Sequence, residues 1–153
     1  MGITDHLKGN RVYLDTNIFI YALEGFPDYV DTLTALFSVI DEGTLKAVTS
    51  ELTLAEVLVK PLIDKNHYLQ IIYQEAIQSS DYVDVIPIDR HILIEAAKIR
   101  AQSTTIHIPD AIHLATARMN HCTTYITNDK RLKFIPDVHV AILSEIHEIL
   151  KVS

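Results

Sequence analysis

Short runs of β-branched and aromatic residues alternate with longer runs of helical periodicity along the whole chain. No other feature narrows the fold as much. Residues 11–14 read as a strand and 17–23 as the start of a helix. Val30, Leu33, Leu36, Phe37 and Ile40 recur at helical spacing within 29–40, and Gly43 closes that helix. Residues 45–49 form a second strand. A helix begins over 53–59 and is interrupted or kinked by Pro61, and another covers 65–78. Residues 82–88 are a third strand, after which Asp89 caps a helix to about Ala101. Residues 104–108 are a loop, and Pro109 opens a helix to about Asn120. Strands at 123–127 and 138–143 flank a short helix at 129–132, and 144–150 is the last helix. Strands alternating with helices predict an α/β fold around a mostly parallel sheet of about five strands.

A chain of 153 residues, 48% of them hydrophobic, has material for one domain with a core of its own, expected over residues 1–153 with its centre at about 11–143. The longest apolar run, 18–23, is far short of the ~20 residues that cross a bilayer. MGITDHLKGN carries no apolar signal core. These features predict a cytoplasmic protein with no membrane partner. Cys122 is the single cysteine, so neither an internal disulfide nor a cysteine zinc site can form. Four glycines make no P-loop and no G-x-G-x-x-G, the eight histidines make no H-E-x-x-H, and no serine sits in a G-x-S-x-G elbow. A formal charge of −7 argues against a generic cationic nucleic-acid binder. It leaves room for acids gathered around divalent cations, where the local field changes sign.

Four acids fall where the predicted strands give way to helices. Asp15 ends the first strand, in VYLDTN. Glu56 lies in the helix after the second. Asp110 follows Pro109, and Asp129 follows the strand at 123–127. In open parallel sheets, ligand sites gather at the carboxyl ends of strands. Each acid also has a plain structural use. Asp15 can cap a helix beginning near Asn17, and Thr53 with Glu56 fits the T-x-x-E capping box. Asp110 can complement a helix dipole, and Asp129 can cap the turn before Lys130. Four carboxylates at one edge would repel one another, and a hard divalent cation with oxygen ligands, Mg²⁺ or Mn²⁺, relieves that. Glu51 rivals Glu56 for the second place. His113, three residues after Asp110, reads first as a packed histidine bonded to backbone and second as a phosphate or outer-shell contact. Lys130, Arg131 and Lys133 form either a solvated basic turn or a weak RNA-backbone contact. Lys60, Arg90, Arg100 and Arg118 extend that path or are ordinary surface charges.

The ordered set YLDTN, TLAEVLVKP, IPDAIHLATA and YITNDKRL resembles the PIN-domain nucleases, and among them the toxins of VapBC-type toxin–antitoxin pairs. The resemblance runs from about Val12 to Leu143. It implies a PIN-like three-layer α/β/α fold with five parallel strands. It implies a metal site of Asp15, Glu56, Asp110 and Asp129 for Mg²⁺ or Mn²⁺, supported by hydrogen bonds from Asn17 and from Thr127 or Asn128. The activity it implies is a metal-dependent endoribonuclease that cleaves RNA phosphodiesters with an ion-activated water. The partners it implies are an RNA substrate, a cognate antitoxin and a second copy of the chain. The early helices, with Tyr21, Tyr29 and Phe37, are the expected contact for the last two. Alternatives are a freestanding PIN nuclease and a non-catalytic RNA- or protein-binding module. A phospho-acceptor receiver domain expects paired acids after the first strand, whereas Asp15 stands alone.

Overall fold

Side chains alternate along the first strand: Val12 and Leu14 enter one apolar cluster, and Tyr13 between them enters another. The structure, a computed structural model, describes residues 2–151; Met1, Val152 and Ser153 of the expected domain lie outside the described residues. Its strands are β1 (Arg11–Leu14), β2 (Lys46–Ser50), β3 (Val83–Ile86), β4 (Thr124–Thr127) and β5 (His139–Ile142). All pair in parallel, in the order β3-β2-β1-β4-β5. The alternation repeats across the sheet. Ala47, Ile126 and Ala141 face the first cluster, while Val48, Tyr125, Val140 and Ile142 face the second. A sheet buried on both faces explains why apolar residues take consecutive strand positions, with Thr49, Ser50, Thr124 and Thr127 buried beside them.

Seven α-helices among the described residues cover those faces: α1 (Thr16–Leu23), α2 (Val30–Asp41), α3 (Glu51–Ile63), α4 (His67–Ala76), α5 (Arg90–Gln102), α6 (Ile108–Met119) and α7 (Leu143–Lys151). The first cluster is closed by Phe19, Leu36, Val57, Tyr73 and Ile146, from α1, α2, α3, α4 and α7. The second is closed by Ile92 and Ala96 of α5 and Leu114 and Ala115 of α6. The result is the parallel five-stranded α/β fold that the alternation predicts, in the three-layer α/β/α arrangement that the resemblance implies.

Two local expectations change. The T-x-x-E box does not start α3. The chain turns from β2 straight into the helix, and Ser50 is its cap, with Oγ accepting from the Leu52 N–H at 3.0 Å. Thr53 is therefore inside the helix, bonded through its hydroxyl to Thr49 at 2.8 Å. Pro61 does not interrupt the helix either, which runs on to Ile63. Proline removes one N–H, but here only from the last turn, and the Pro61 carbonyl accepts from Asn66 N–H and from Gln70 Nε2. A 3-10 turn at Ile3–His6, which no local pattern announced, precedes β1.

The strand order positions the site. From β1 the chain proceeds outward to β2 and β3, then returns to place β4 and β5 on the other side. A crevice opens at such a reversal, beyond the carboxyl ends of the two strands that flank it. Leu14 of β1 pairs with Ile126 of β4 there, so Asp15 and Thr127 are the next residues out.

Candidate active site

Asp15 is 8% exposed. As the N-cap of α1 its Oδ1 accepts from the Thr16 N–H at 2.8 Å, while Oδ2 accepts from the Thr127 hydroxyl at 2.7 Å. Burial is the main reason its carboxyl stays above the usual range; His113, Thr127 and the Thr16 amide pull it back in part. Capping and site duty thus coexist in one side chain. Thr127 Oγ1 also accepts from Asn17 Nδ2 at 3.2 Å and from the Asp129 N–H at 3.1 Å. Asn17 Oδ1 in turn accepts from the Asn128 N–H at 3.1 Å, and Asn128 Oδ1 accepts from the Ser144 N–H at 2.9 Å. These bonds lace the start of α1 to the end of β4 and to α7.

Glu56 reaches the same crevice from the second turn of α3. Its Oε1 accepts from the Thr16 hydroxyl at 2.8 Å and lies 2.5 Å from His113 Nε2. On the other side of the ring, His113 Nδ1 lies 2.6 Å from the Tyr13 hydroxyl. Every group is satisfied when the tyrosine O–H donates to Nδ1 and Nε2–H donates to Glu56. Burial raises the Glu56 carboxyl, but the hydrogen bonds from His113 and Thr16 outweigh it and hold the group below its usual range. Glu51, the rival for this place, opens α3 and is exposed.

His113 is buried, as the sequence suggests, at 3% exposure. Its bonds differ from the expectation: they run to the side chains of Tyr13 and Glu56 rather than to backbone. His113 Nε2 is also 3.9 Å from Asp15 Oδ1, so one imidazole stands between two acids.

Asp110 and Asp129 make the second half. Asp110 Oδ2 accepts from the His107 N–H at 3.0 Å, so this acid too serves its helix start. Asp129 precedes a 3-10 turn, Lys130–Leu132, and accepts from the Arg131 N–H at 3.0 Å. The Arg131 guanidinium spans both acids, 2.5 Å from Asp129 and 3.4 Å from Asp110. Its hydrogen bonds to Asp129 are the main cause that holds that carboxyl low. Lys133 pairs with Glu145 of α7 at 2.8 Å, and Lys130 is exposed.

The four acids are thus joined through shared partners but stand two and two, each pair with its own basic side chain. Among the described residues, no three of His, Cys, Asp and Glu are grouped so as to hold a metal ion. Two observations nevertheless fit a hard cation. Carboxylate oxygens are the ligands such an ion takes. The hydroxyl of Tyr125, wholly buried and stacked on Tyr13 at 5.0 Å, has no hydrogen-bond partner. Burial first, and then the Asp15 charge, lift that phenol far above its usual range, with Asp110 adding to it. A buried O–H donor beside Asp15 calls for an acceptor oxygen, such as that of a water on a bound ion. Tyr13, Thr16 and Tyr125 escaped the sequence reading; only the period-2 pattern of VYLD and TYITND places the two tyrosines side by side on one face.

Residues 12–138 match the family profile of the PIN domain. No curated protein matches the sequence. Solved structures that resemble the fold include the following three. VapBC2 from Rickettsia felis bound to a promoter DNA fragment is 19% identical, with 86% of this chain and 98% of that chain covered and a TM-score of 0.67. DNA-bound VapBC from Salmonella typhimurium is 17% identical, covering 88% and 99%, with a TM-score of 0.67. FitAcB from Neisseria gonorrhoeae is 22% identical, covering 87% and 98%, with a TM-score of 0.64. At such identities the likeness is one of fold.

Proposed function

The chain belongs to the PIN domain family, whose members are generally nucleases, and from that premise we propose that it is a Mg²⁺- or Mn²⁺-dependent endoribonuclease acting as the toxin of a toxin–antitoxin pair. The observation that carries this reading is that Asp15 and Glu56, around His113, and Asp110 and Asp129, around Arg131, come from four separate segments to the region beyond β1 and β4, where Thr127 links Asp15 to Asp129. A bound ion would be held by these four acids, would make a water easier to deprotonate and would stabilise charge on the leaving oxygen. The chain's own part is positioning. Thr127 and the Thr16 amide fix the Asp15 carboxylate; His113, held by Tyr13, fixes Glu56 beside it. Of the basic residues after Asp129, Lys130 is exposed and available to an RNA backbone, while Arg131 pairs with Asp110 and Asp129 and Lys133 with Glu145. The resemblance to PIN nucleases implies products with 5′-phosphate and 3′-hydroxyl ends; a 2′,3′-cyclic phosphate would refute attack by water.

The test is cleavage of total small RNA by purified protein in Mg²⁺ or Mn²⁺ against EDTA, with Asp15→Asn prepared identically. Discrete products that need the ion and vanish in the variant are expected. The rival, a non-catalytic RNA- or protein-binding module, draws on the pairing of the acids with Arg131 and His113, and predicts RNA retention with no turnover at any ion concentration.

Partners follow from the neighbours and from two surfaces. The similar structures include toxin–antitoxin complexes. A cavity of about 880 Å³ between α1, α2 and the β3 side of the sheet is lined mostly by apolar groups, among them Phe19, Leu23, Leu33, Phe37 and Val83. It suits the apolar face of an antitoxin helix. With the product of a short adjacent reading frame as partner, Phe37→Asp is expected to weaken binding by about 10-fold or more; unchanged affinity would move the partner off this cavity. For the homodimer, Tyr21 and Tyr29 already pack with each other and with Phe26, and Phe37 lines that cavity. The α3–α4 hairpin instead leaves Val59, Leu62, Ile63, Tyr68 and Ile71 exposed, Ile63 at 74% and Tyr68 at 76%. A second copy covering this face is the better reading. Sedimentation at micromolar concentration should show a dimer that Ile63→Asp converts to monomer; a monomeric wild type would end it. Among the described residues no helix is long and apolar enough to cross a membrane, and we place the protein in the cytoplasm with its RNA.

A further inference from the structure

Asp129 takes its hydrogen bonds from a single residue. Arg131 Nε lies 3.1 Å from each carboxylate oxygen, Nη2 lies 2.5 Å from Oδ2, and the Arg131 backbone N–H lies 3.0 Å from Oδ1. A carboxylate has about four lone-pair positions, and these three N–H groups, with Nε–H shared between the two oxygens, leave Asp129 little to offer an ion. The guanidinium is also tied on its far side. Nη2 reaches Asp110 Oδ2 at 3.4 Å, and Nη1 reaches the Thr105 carbonyl at 3.3 Å. Among the described residues no other lysine or arginine pairs with either acid.

Resting on the metal-dependent reading above, we infer that Arg131 is an internal counter-cation that holds Asp110 and Asp129 together and must be displaced before an ion can bind them. The two halves of the site differ in whether such an exchange is open to them. His113, between Asp15 and Glu56, is 3% exposed and locked at both ring nitrogens. The Arg131 side chain is 47% exposed, so its guanidinium can turn into water without leaving a void. Its tie is of moderate strength, a charge-assisted fork at a half-exposed position, equivalent to about a 3- to 10-fold bias in an equilibrium. Ion binding therefore proceeds against Arg131, and the acids stay paired when no ion is present.

The experiment is a Mn²⁺ titration of metal-free protein without RNA, reading free Mn²⁺ by electron paramagnetic resonance. Wild type is compared with Arg131→Gln, Arg131→Lys and Lys130→Gln, after melting curves in EDTA show that each variant folds. Arg131→Gln is expected to bind Mn²⁺ about 3- to 10-fold more tightly. Arg131→Lys, which keeps the charge and loses the fork, should fall between it and wild type. Lys130→Gln removes the same charge one residue earlier from a side chain that pairs with neither acid, and should change affinity by less than about 2-fold. Equal or weaker binding in Arg131→Gln would overturn the inference, because the arginine would then be ordering the acids for the ion. Equal tightening in Arg131→Gln and Lys130→Gln would overturn it as well, as a long-range charge effect. If neither wild type nor Arg131→Gln binds Mn²⁺ at millimolar concentration, the metal-dependent reading fails and takes this inference with it.

Discussion

Asp15→Asn is expected to leave the fold standing and to cut ion-dependent RNA cleavage by about 10³-fold, since a bound ion supplies several kcal/mol of charge stabilisation and ~4 kcal/mol is a thousandfold in rate. The amide has the same shape and still caps α1. It can accept from Thr127 or from the Thr16 N–H, but not from both through a donor nitrogen, so one hydrogen bond worth ~1 kcal/mol is lost. Against this, the substitution removes a charge that burial disfavours. Asp15 keeps its proton to a higher pH in the folded chain than the ordinary 3.8, so wild-type stability owed to this group is present in acid and lost as pH rises through the folded value. The amide does not titrate. In EDTA the variant should therefore gain on wild type between acid and neutral pH, and at neutral pH its Tm should match or exceed wild type within about 3 °C. Added Mn²⁺ should raise the wild-type Tm and leave the variant almost unmoved. A variant that melts far below wild type in EDTA, together with a wild type indifferent to Mn²⁺, would leave Asp15 a helix cap and nothing more.

How much of this was open to reading depends on the distance over which each feature is decided. Strand and helix identity is local, and the alternation from Arg11 to Ile142 placed all five strands within a residue or two, β3 least closely: residues 82 and 87–88 fall outside it. The acids were legible because caps and strand ends are also local signals. The T-x-x-E pattern misled for the same reason. Thr53 fits a cap in isolation, but Ser50, at the very end of β2, takes the position first. The partners of His113 were not legible. Its spacing from Asp110 fixes its place on α6, but Glu56 and Tyr13 lie 57 and 100 residues away, and parallel pairing of β1 with β4 must exist before they meet. Arg131 shows both cases. A basic residue two places after Asp129 is a local invitation to pair, whereas the reach across to Asp110 depends on α6 docking on the sheet. The orphaned Tyr125 hydroxyl lies furthest from sequence reasoning, since it is defined by what the whole fold fails to place beside it.

His113→Ala is expected to destabilise the ion-free protein by about 3 kcal/mol, the largest stability effect predicted for this chain. Two causes add. Truncating a side chain that is 3% exposed opens a cavity under α6. It also takes away the acceptor to which the wholly buried Tyr13 hydroxyl donates. Glu56 contributes less, because its carboxylate is 36% exposed and can return to water. Tyr13→Phe separates the causes. Alone it leaves His113 Nδ1 without its donor and should cost about 1–2 kcal/mol. In the double variant no stranded hydroxyl remains, so the total should fall short of the sum by about 1–2 kcal/mol. Urea denaturation of the four proteins in EDTA measures this coupling, and additivity within about 0.3 kcal/mol would show that the hydroxyl finds another partner when the imidazole is gone. The same variants bear on the site. Tyr13 touches none of the four acids, yet it orients the ring that orients Glu56. Tyr13→Phe should therefore weaken Mn²⁺ binding by several-fold while the protein stays folded, an effect of the order seen when groups behind a metal ligand are removed, about 10-fold. Unchanged Mn²⁺ affinity in that variant would confine the Tyr13–His113 pair to the core and leave Glu56 held by Thr16 alone.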